Sequence, residues 1–132
     1  MSELPMVPGQ AFPGVGAFVD LRPYMDSSWE GAGGADAGSA WHCRALLSHN
    51  LGHLHVRTRL GTSMDLIPAN VLPPEVRPAG QEVLTAWTQS RGDVRMFFET
   101  NGRLHFDDAA ADVANGREWT VLIRHEYLRR AA

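Results

Sequence analysis

The chain has 132 residues, a formal net charge of -3 and 44% hydrophobic residues, which is enough to build one small domain or two very small ones. All of its cationic side chains other than histidine are arginines, and neither mildly acidic half offers an obvious basic stripe, so nucleic acid is disfavoured as a partner. The single Cys43 excludes an internal disulfide, residues 1–16 show no signal-peptide pattern, and no apolar run approaches the length of a membrane span. We therefore expect an intracellular protein that does not enter a membrane.

The first half of the chain predicts short strands separated by polar or glycine-rich turns. Proline and glycine in residues 1–14 favour a flexible N-terminal segment. Residues 25–40 predict a glycine- and serine-rich loop, in which Trp29 either packs onto the domain or waits for a partner. The predicted strands are 17–21, 41–47, 51–59 and 64–67, with a hairpin turn at 48–50.

The second half repeats this order after a proline-containing linker at residues 73–80. Strands are predicted at 82–88, 94–100 and 103–106, and the Asn101-Gly102 pair between the last two is the strongest hairpin signal in the chain. Residues 107–115 predict one short helix with an acidic first turn, ended by Gly116. The recurrence of strand, turn, strand and closing segment indicates two small all-β units of similar plan.

Short motifs in both units resemble the Tudor and Agenet modules, which are five-stranded SH3-like barrels of the Royal superfamily. The motifs in the first unit are Val19-Asp20, Trp41 with Ala45, Val56, and Ile67-Pro68-Ala69-Asn70-Val71-Leu72-Pro73-Pro74. In the second unit they are Val83-Leu84-Thr85-Ala86-Trp87, Leu104-His105-Phe106-Asp107-Asp108 and Tyr127-Leu128-Arg129. The resemblance spans residues 16–130 and implies an all-β protein with two small SH3-like, Tudor-like barrels in tandem, at 15–75 and 79–132, plus one short helix.

What the resemblance implies is ligand capture in an aromatic cage, because ring faces attract a cation such as methylated Lys or Arg. In the second unit the matching positions are Trp87, Phe97 and Phe106, with Asp107 or Asp108 as the acid. In the first unit Trp41 matches and Tyr24 and Trp29 are available from the loop, whereas Thr58 stands where the family has an aromatic residue. The alternative for every one of these rings is that it fills the core of a small barrel.

Histidines supply a hypothesis of a different class. His49, His53 and His55 fall in one hairpin, and His53 and His55 share a strand face, as two metal ligands must. Their spacing faintly resembles a cupin motif, but the carboxylate that should follow is absent from Val56 to Arg59. No nucleophile elbow, phosphate-binding loop or paired-cysteine motif is present in the sequence.

The sequence therefore predicts a non-catalytic module that recognises a peptide or protein tail through an aromatic cage on the second barrel or in the groove between the two barrels, with a methylated Lys or Arg as one form of the ligand and with no cofactor. The alternatives are a small cupin-like metal-dependent enzyme that uses His53 and His55, and a protein-interaction subunit whose Arg-rich closing segment docks an acidic partner. The expected location is nuclear if the Tudor or Agenet resemblance holds and cytoplasmic otherwise.

Overall fold

The fold is known from a computed structural model that describes residues 6–12, 16–34, 40–89, 91–107 and 120–130. These residues are mostly strand, and their helical segments are three-residue 3₁₀ turns at Arg22–Tyr24, Ala32–Gly34 and Pro74–Val76. The strands are β1 (Met6–Phe12), β2 (Gly16–Asp20), β3 (His42–Leu47), β4 (Leu51–Thr58), β5 (Asp65–Ile67), β6 (Glu82–Thr88), β7 (Gly92–Phe98), β8 (Leu104–Phe106) and β9 (Val121–Leu128).

All nine strands belong to one antiparallel sheet in the order β1-β2-β3-β4-β9-β6-β7-β8-β5. Strand β9, from the end of the chain, lies between β4 and β6, and β5, from the first half, pairs with β8 of the second half. The predicted all-β class is therefore confirmed. The structure does not show the two separate tandem barrels, because strands of both halves are interleaved in one sheet.

One face of the sheet carries the core, and we call it the inner face. Along β6 and β7 the buried residues alternate with exposed ones, as expected for strands with one face packed and one face open. The buried side chains on the inner face include Leu54, Leu84, Met96, Phe98, Leu104 and Ile123. The other face, which we call the outer face, carries the candidate site.

The glycine-rich loop after β2 packs onto the core. Trp29 in this loop is 2% exposed, its ring centroid lies 5.7 Å from that of Phe106, and its indole N–H donates to the Asp65 carbonyl at 3.2 Å. A Cβ at Gly61 would overlap the indole, so a glycine is needed beneath it. Of the two alternatives for Trp29, the structure selects packing onto the domain.

Strands β6 and β9 pair over only three residue pairs and then separate. Beyond this overlap the buried ring of Tyr127 on β9 lies over Gly52 of β4 and 5.0 Å from Phe98 between ring centroids. The Tyr127 hydroxyl donates to the Val76 carbonyl. The short overlap is nevertheless sufficient to fix the register between the two strands, and this register builds the site.

Three of the local predictions made from the sequence can be compared with the structure. The hairpin turns at 48–50 and at Asn101-Gly102 are confirmed by the pairing of β3 with β4 and of β7 with β8. Residues 6–12 of the predicted N-terminal segment form β1, which pairs with β2. The predicted helix at 107–115 lies outside the described residues except for Asp107.

Candidate binding site on the outer face of the sheet

The register of five neighbouring strands places five outward-pointing residues directly opposite one another. This cross-strand row consists of His42 on β3, Arg57 on β4, Leu122 on β9, Trp87 on β6 and Asp93 on β7. Directly opposite residues on one face have Cβ atoms about 5 Å apart, so each side chain can contact its neighbours. The row therefore crosses the junction between the two halves of the chain.

The centre of the row is apolar and open to solvent. Trp87 is 44% exposed and Leu122 is 37% exposed, and the two are directly opposite each other. They lie in a groove of about 270 Å³ that runs from His42 to Asp93 and also includes Thr85 and Arg124. An exposed tryptophan beside an exposed leucine in a concave site is typical of a surface that binds a partner.

Arginines concentrate on the β3 and β4 side of this apolar pair. Arg44 and Arg124 flank His55 in the neighbouring register positions, next to Arg57 in the row itself. The guanidinium of Arg57 lies 5.0 Å from the ring centroid of Trp41. Within the described parts of the chain neither Arg57 nor Arg124 forms an ion pair, so their charges remain available to a ligand.

The histidines in the groove respond to this positive charge. Burial lowers the pKa of His42, and the charges of Arg44, His55 and Arg57 lower it further. The pKa of His55 is lowered by burial, then by Arg124, Arg44 and His53. Both imidazoles are therefore held toward the neutral form, first by burial and then by the positive charges around them.

The opposite end of the row is acidic. Asp93 pairs with Trp87 from β7 and is exposed, and it lies at the end of the row away from Arg57, with the exposed Arg95 two residues on along the same face of β7. The two other carboxylates near the arginine side are already engaged: Asp20 binds the guanidinium of Arg22 at 2.9 Å, and Glu126 binds the His53 ring at 2.6 Å. The row thus carries a charge gradient, from Arg57 on β4 to Asp93 on β7, while Arg95 adds a positive charge beside the row on β7.

The aromatic cage expected for the second unit is not assembled in the structure. Trp87 lies on the outer face, whereas Phe106 is 1% exposed on the inner face, where it packs against Trp29. Phe97 lies on the outer face but is paired with Val83, about 13 Å along β6 from Trp87. Phe97 packs instead against the ring of His105, 5.5 Å away between centroids.

The remaining cage candidates are also placed apart from Trp87. Tyr24 is partly buried against the core, and burial raises the pKa of its hydroxyl. Trp41 is covered by Arg57 and by Arg59, whose guanidinium lies 4.6 Å from its ring centroid. Asp107 lies 3.9 Å from Arg95 across an ion pair, and Asp108 lies outside the described residues.

The histidine pair shares the outer face of β4 as predicted. The ring centroids of His53 and His55 are 6.4 Å apart, and Nε2 of His53 contacts the Glu126 carboxylate. No group of three or more His, Cys, Asp or Glu side chains placed to hold a metal ion occurs among the described residues. Cys43 is fully buried, and burial raises the pKa of its thiol, as expected for an inert core cysteine.

Sequence reasoning found Trp87 but missed its neighbours in the groove. The residues that it missed are His42, Arg57, Asp93, Leu122 and Arg124. Alternation within a strand shows which residues share a face, but it does not show which distant strand lies alongside. The pairing of β9 with β6 therefore had no local signal.

Comparison with known proteins assigns no family to the chain. No protein-family model matches the sequence, and no curated protein matches it either. No helix in the described parts of the chain is long and apolar enough to cross a membrane. The functional argument therefore rests on the groove itself.

Proposed function

We propose that this protein is a non-catalytic recognition module that binds a peptide or protein tail of a partner in the groove around Trp87 and Leu122. The observation that carries the proposal is the exposure of this apolar pair at the centre of a groove bordered by arginines. Tryptophan and arginine are the residue types most enriched among those that dominate binding energy at protein interfaces. The proposal keeps the recognition role that the Tudor and Agenet resemblance implies, but moves the site from a cage to the outer face of the sheet.

The shape of the site also supports a peptide as the occupant. The row crosses five strands, so it spans four inter-strand spacings, or roughly 19 Å. An extended peptide covers that distance with about six residues. A side chain of the peptide would pack on Trp87 and Leu122, while its neighbours would reach the polar residues on either side.

A random peptide library displayed on phage and selected on the wild-type protein tests the proposal. Selected peptides, labelled and measured by fluorescence anisotropy, should bind with micromolar affinity. Trp87→Ala should weaken them about 30-fold, since truncating a central tryptophan typically costs about 2 kcal/mol. Val83→Ala is the matched control, because Val83 is 55% exposed on the same face of the same strand but lies outside the groove.

Two results would refute the proposal. One is a selection that enriches no binding peptide, and the other is a set of peptides that bind the Trp87→Ala variant as well as the wild type. Circular dichroism of each variant confirms that the sheet is intact. We expect the Trp87→Ala variant to stay folded because Trp87 is exposed, and surface substitutions usually change stability little.

A further inference from the structure

The charge gradient of the groove identifies the chemistry of the ligand. We infer that the groove takes an acidic peptide, in which an apolar or aromatic side chain packs on Trp87 and Leu122 and carboxylates lie on the side of Arg57 and Arg124. This inference rests on the proposed function and adds to it the sign and the position of the ligand's charge.

The first step of the argument is the charge balance around the apolar pair. Arg124 on β9 lines the groove, Arg57 on β4 lies directly opposite Leu122, and Arg44 on β3 lies opposite His55, while the nearby carboxylates Asp20 and Glu126 are engaged by Arg22 and His53. The arginine charges contribute, after burial, to the lowered pKa values of His42 and His55 in the groove. An anionic group placed there gains favourable interactions that a cation would not.

The second step is the distance between the apolar anchor and the charge. Arg57 lies directly opposite Leu122, about 5 Å farther along the row, and Arg124 lies about 7 Å to one side of the row along β9. A peptide that follows the row advances about 3.3 Å per residue. A carboxylate one or two residues from the apolar side chain therefore lies beside Arg57 and within reach of the long Arg124 side chain.

The third step is the position of Asp93 at the other end of the row. A ligand with negative charge along its whole length, such as a single-stranded nucleic acid, would bring phosphates close to this carboxylate. A peptide can carry its acids at one end only and so avoids that repulsion. A methylated lysine would suit Asp93, but three arginines would oppose its approach from the remaining sides.

Defined probes separate these ligands. The test probe is a labelled peptide with one Phe flanked on one side by Asp and Glu. In one control peptide Asn and Gln replace these two acidic residues, and in another trimethyllysine replaces them. The fourth probe is a labelled oligothymidylate. We expect the acidic peptide to bind most tightly and to weaken as salt is added. Equal binding of the amide peptide, or tighter binding of the trimethyllysine peptide or the oligothymidylate, would overturn the inference.

Two substitutions that remove opposite charges from the groove, and so should change the affinity in opposite directions, make the test sharper. Arg124→Gln should weaken the acidic peptide about two- to fivefold, and Asp93→Asn should tighten it about twofold, as expected for exposed charges. The trimethyllysine peptide should show the reverse signs. Arg130→Gln is the matched control, since Arg130 is exposed and lies about 20 Å farther along the chain from Arg124.

The outcome also distinguishes this inference from the function on which it rests. If peptides bind in a manner that depends on Trp87 but is indifferent to Arg124 and Asp93, the acidic specificity is refuted while the recognition function stands. If no peptide binding depends on Trp87, both are refuted.

Discussion

The sequence predicts both Trp29 and Trp87 as ligand-binding residues, but truncating them should have different effects on stability and on binding. Trp29 is 2% exposed, whereas Trp87 is 44% exposed. We predict that Trp29→Ala destabilises the fold strongly and that Trp87→Ala leaves its stability almost unchanged while weakening peptide binding about 30-fold. The contrast tests the assignment of one ring to the core and the other to the groove.

The magnitude follows from what each ring contacts. Trp29 packs against Phe106 at 5.7 Å between ring centroids, covers Gly61 and donates to a backbone carbonyl, so its removal leaves a large cavity and an unpaired acceptor. Truncations of buried aromatic residues cost about 3–5 kcal/mol. For a chain of this size that corresponds to a drop in Tm on the order of 10 °C. Trp87 should lose only its contact with Leu122, which contributes about 0.2–1 kcal/mol.

Urea denaturation followed by circular dichroism measures both variants on the same signal. Gly61→Ala provides a second perturbation of the same packing, because its added methyl group overlaps the indole of Trp29. It should cost about 1–3 kcal/mol, as overpacking does. Gly80→Ala is the control, since a Cβ there meets no atom within 4 Å. If Trp29→Ala is no less stable than Trp87→Ala, the assignment of Trp29 to the core is wrong.

Two further predictions concern pH. The hydrogen bond from His105 is the main cause that lowers the pKa of Glu99 below its ordinary value, so the stability that this carboxylate contributes is present above that ordinary value and is lost as the pH falls through the folded-state pKa. Glu99→Gln should therefore reduce the loss of urea-midpoint stability between about pH 5 and pH 3, and an unchanged pH profile would contradict this. In the groove, burial first and the neighbouring positive charges second lower the pKa values of His42 and His55, so both rings should gain positive charge only as the pH falls below the ordinary histidine pKa. An acidic peptide should therefore bind with nearly equal affinity at about pH 7.5 and about pH 6.5, where an unperturbed histidine would already be half protonated. Anisotropy titrations at both pH values check this, and an affinity that rises at the lower pH, but not after both histidines are replaced with glutamine, would contradict it.

The strands could be predicted from the sequence because their signals are local. Strand β6 is predicted at its observed bounds, and the Asn101-Gly102 turn fixes the hairpin of β7 and β8. What could not be predicted is the partner of β9. It pairs with β4 over eight residue pairs and with β6 over three, and such long-range pairing depends on the packing of the whole sheet.

The candidate site was only partly predictable for a related reason. In β6 the outward positions carry Val83 and Trp87, while Thr88 is buried on the inner face. Because large apolar residues occur on both faces, the pattern does not show whether Trp87 is core or surface. Phe106 lies in a strand of three residues, too short for alternation to decide its direction.

The overall acidity of the chain and the cationic side of its groove are compatible. A formal net charge of -3 repels an acidic partner from most of the surface, whereas the arginines beside Leu122 attract it at one place. Charge of this kind contributes more to where and how fast a partner docks than to the final affinity. Affinity must then come from the apolar contact with Trp87, which lies at the pairing of β6 with β9. The complete groove depends on the interleaving of the two halves, because the pairing of β4 with β9 brings His42 and Arg57 of the first half beside Leu122 and Trp87 of the second.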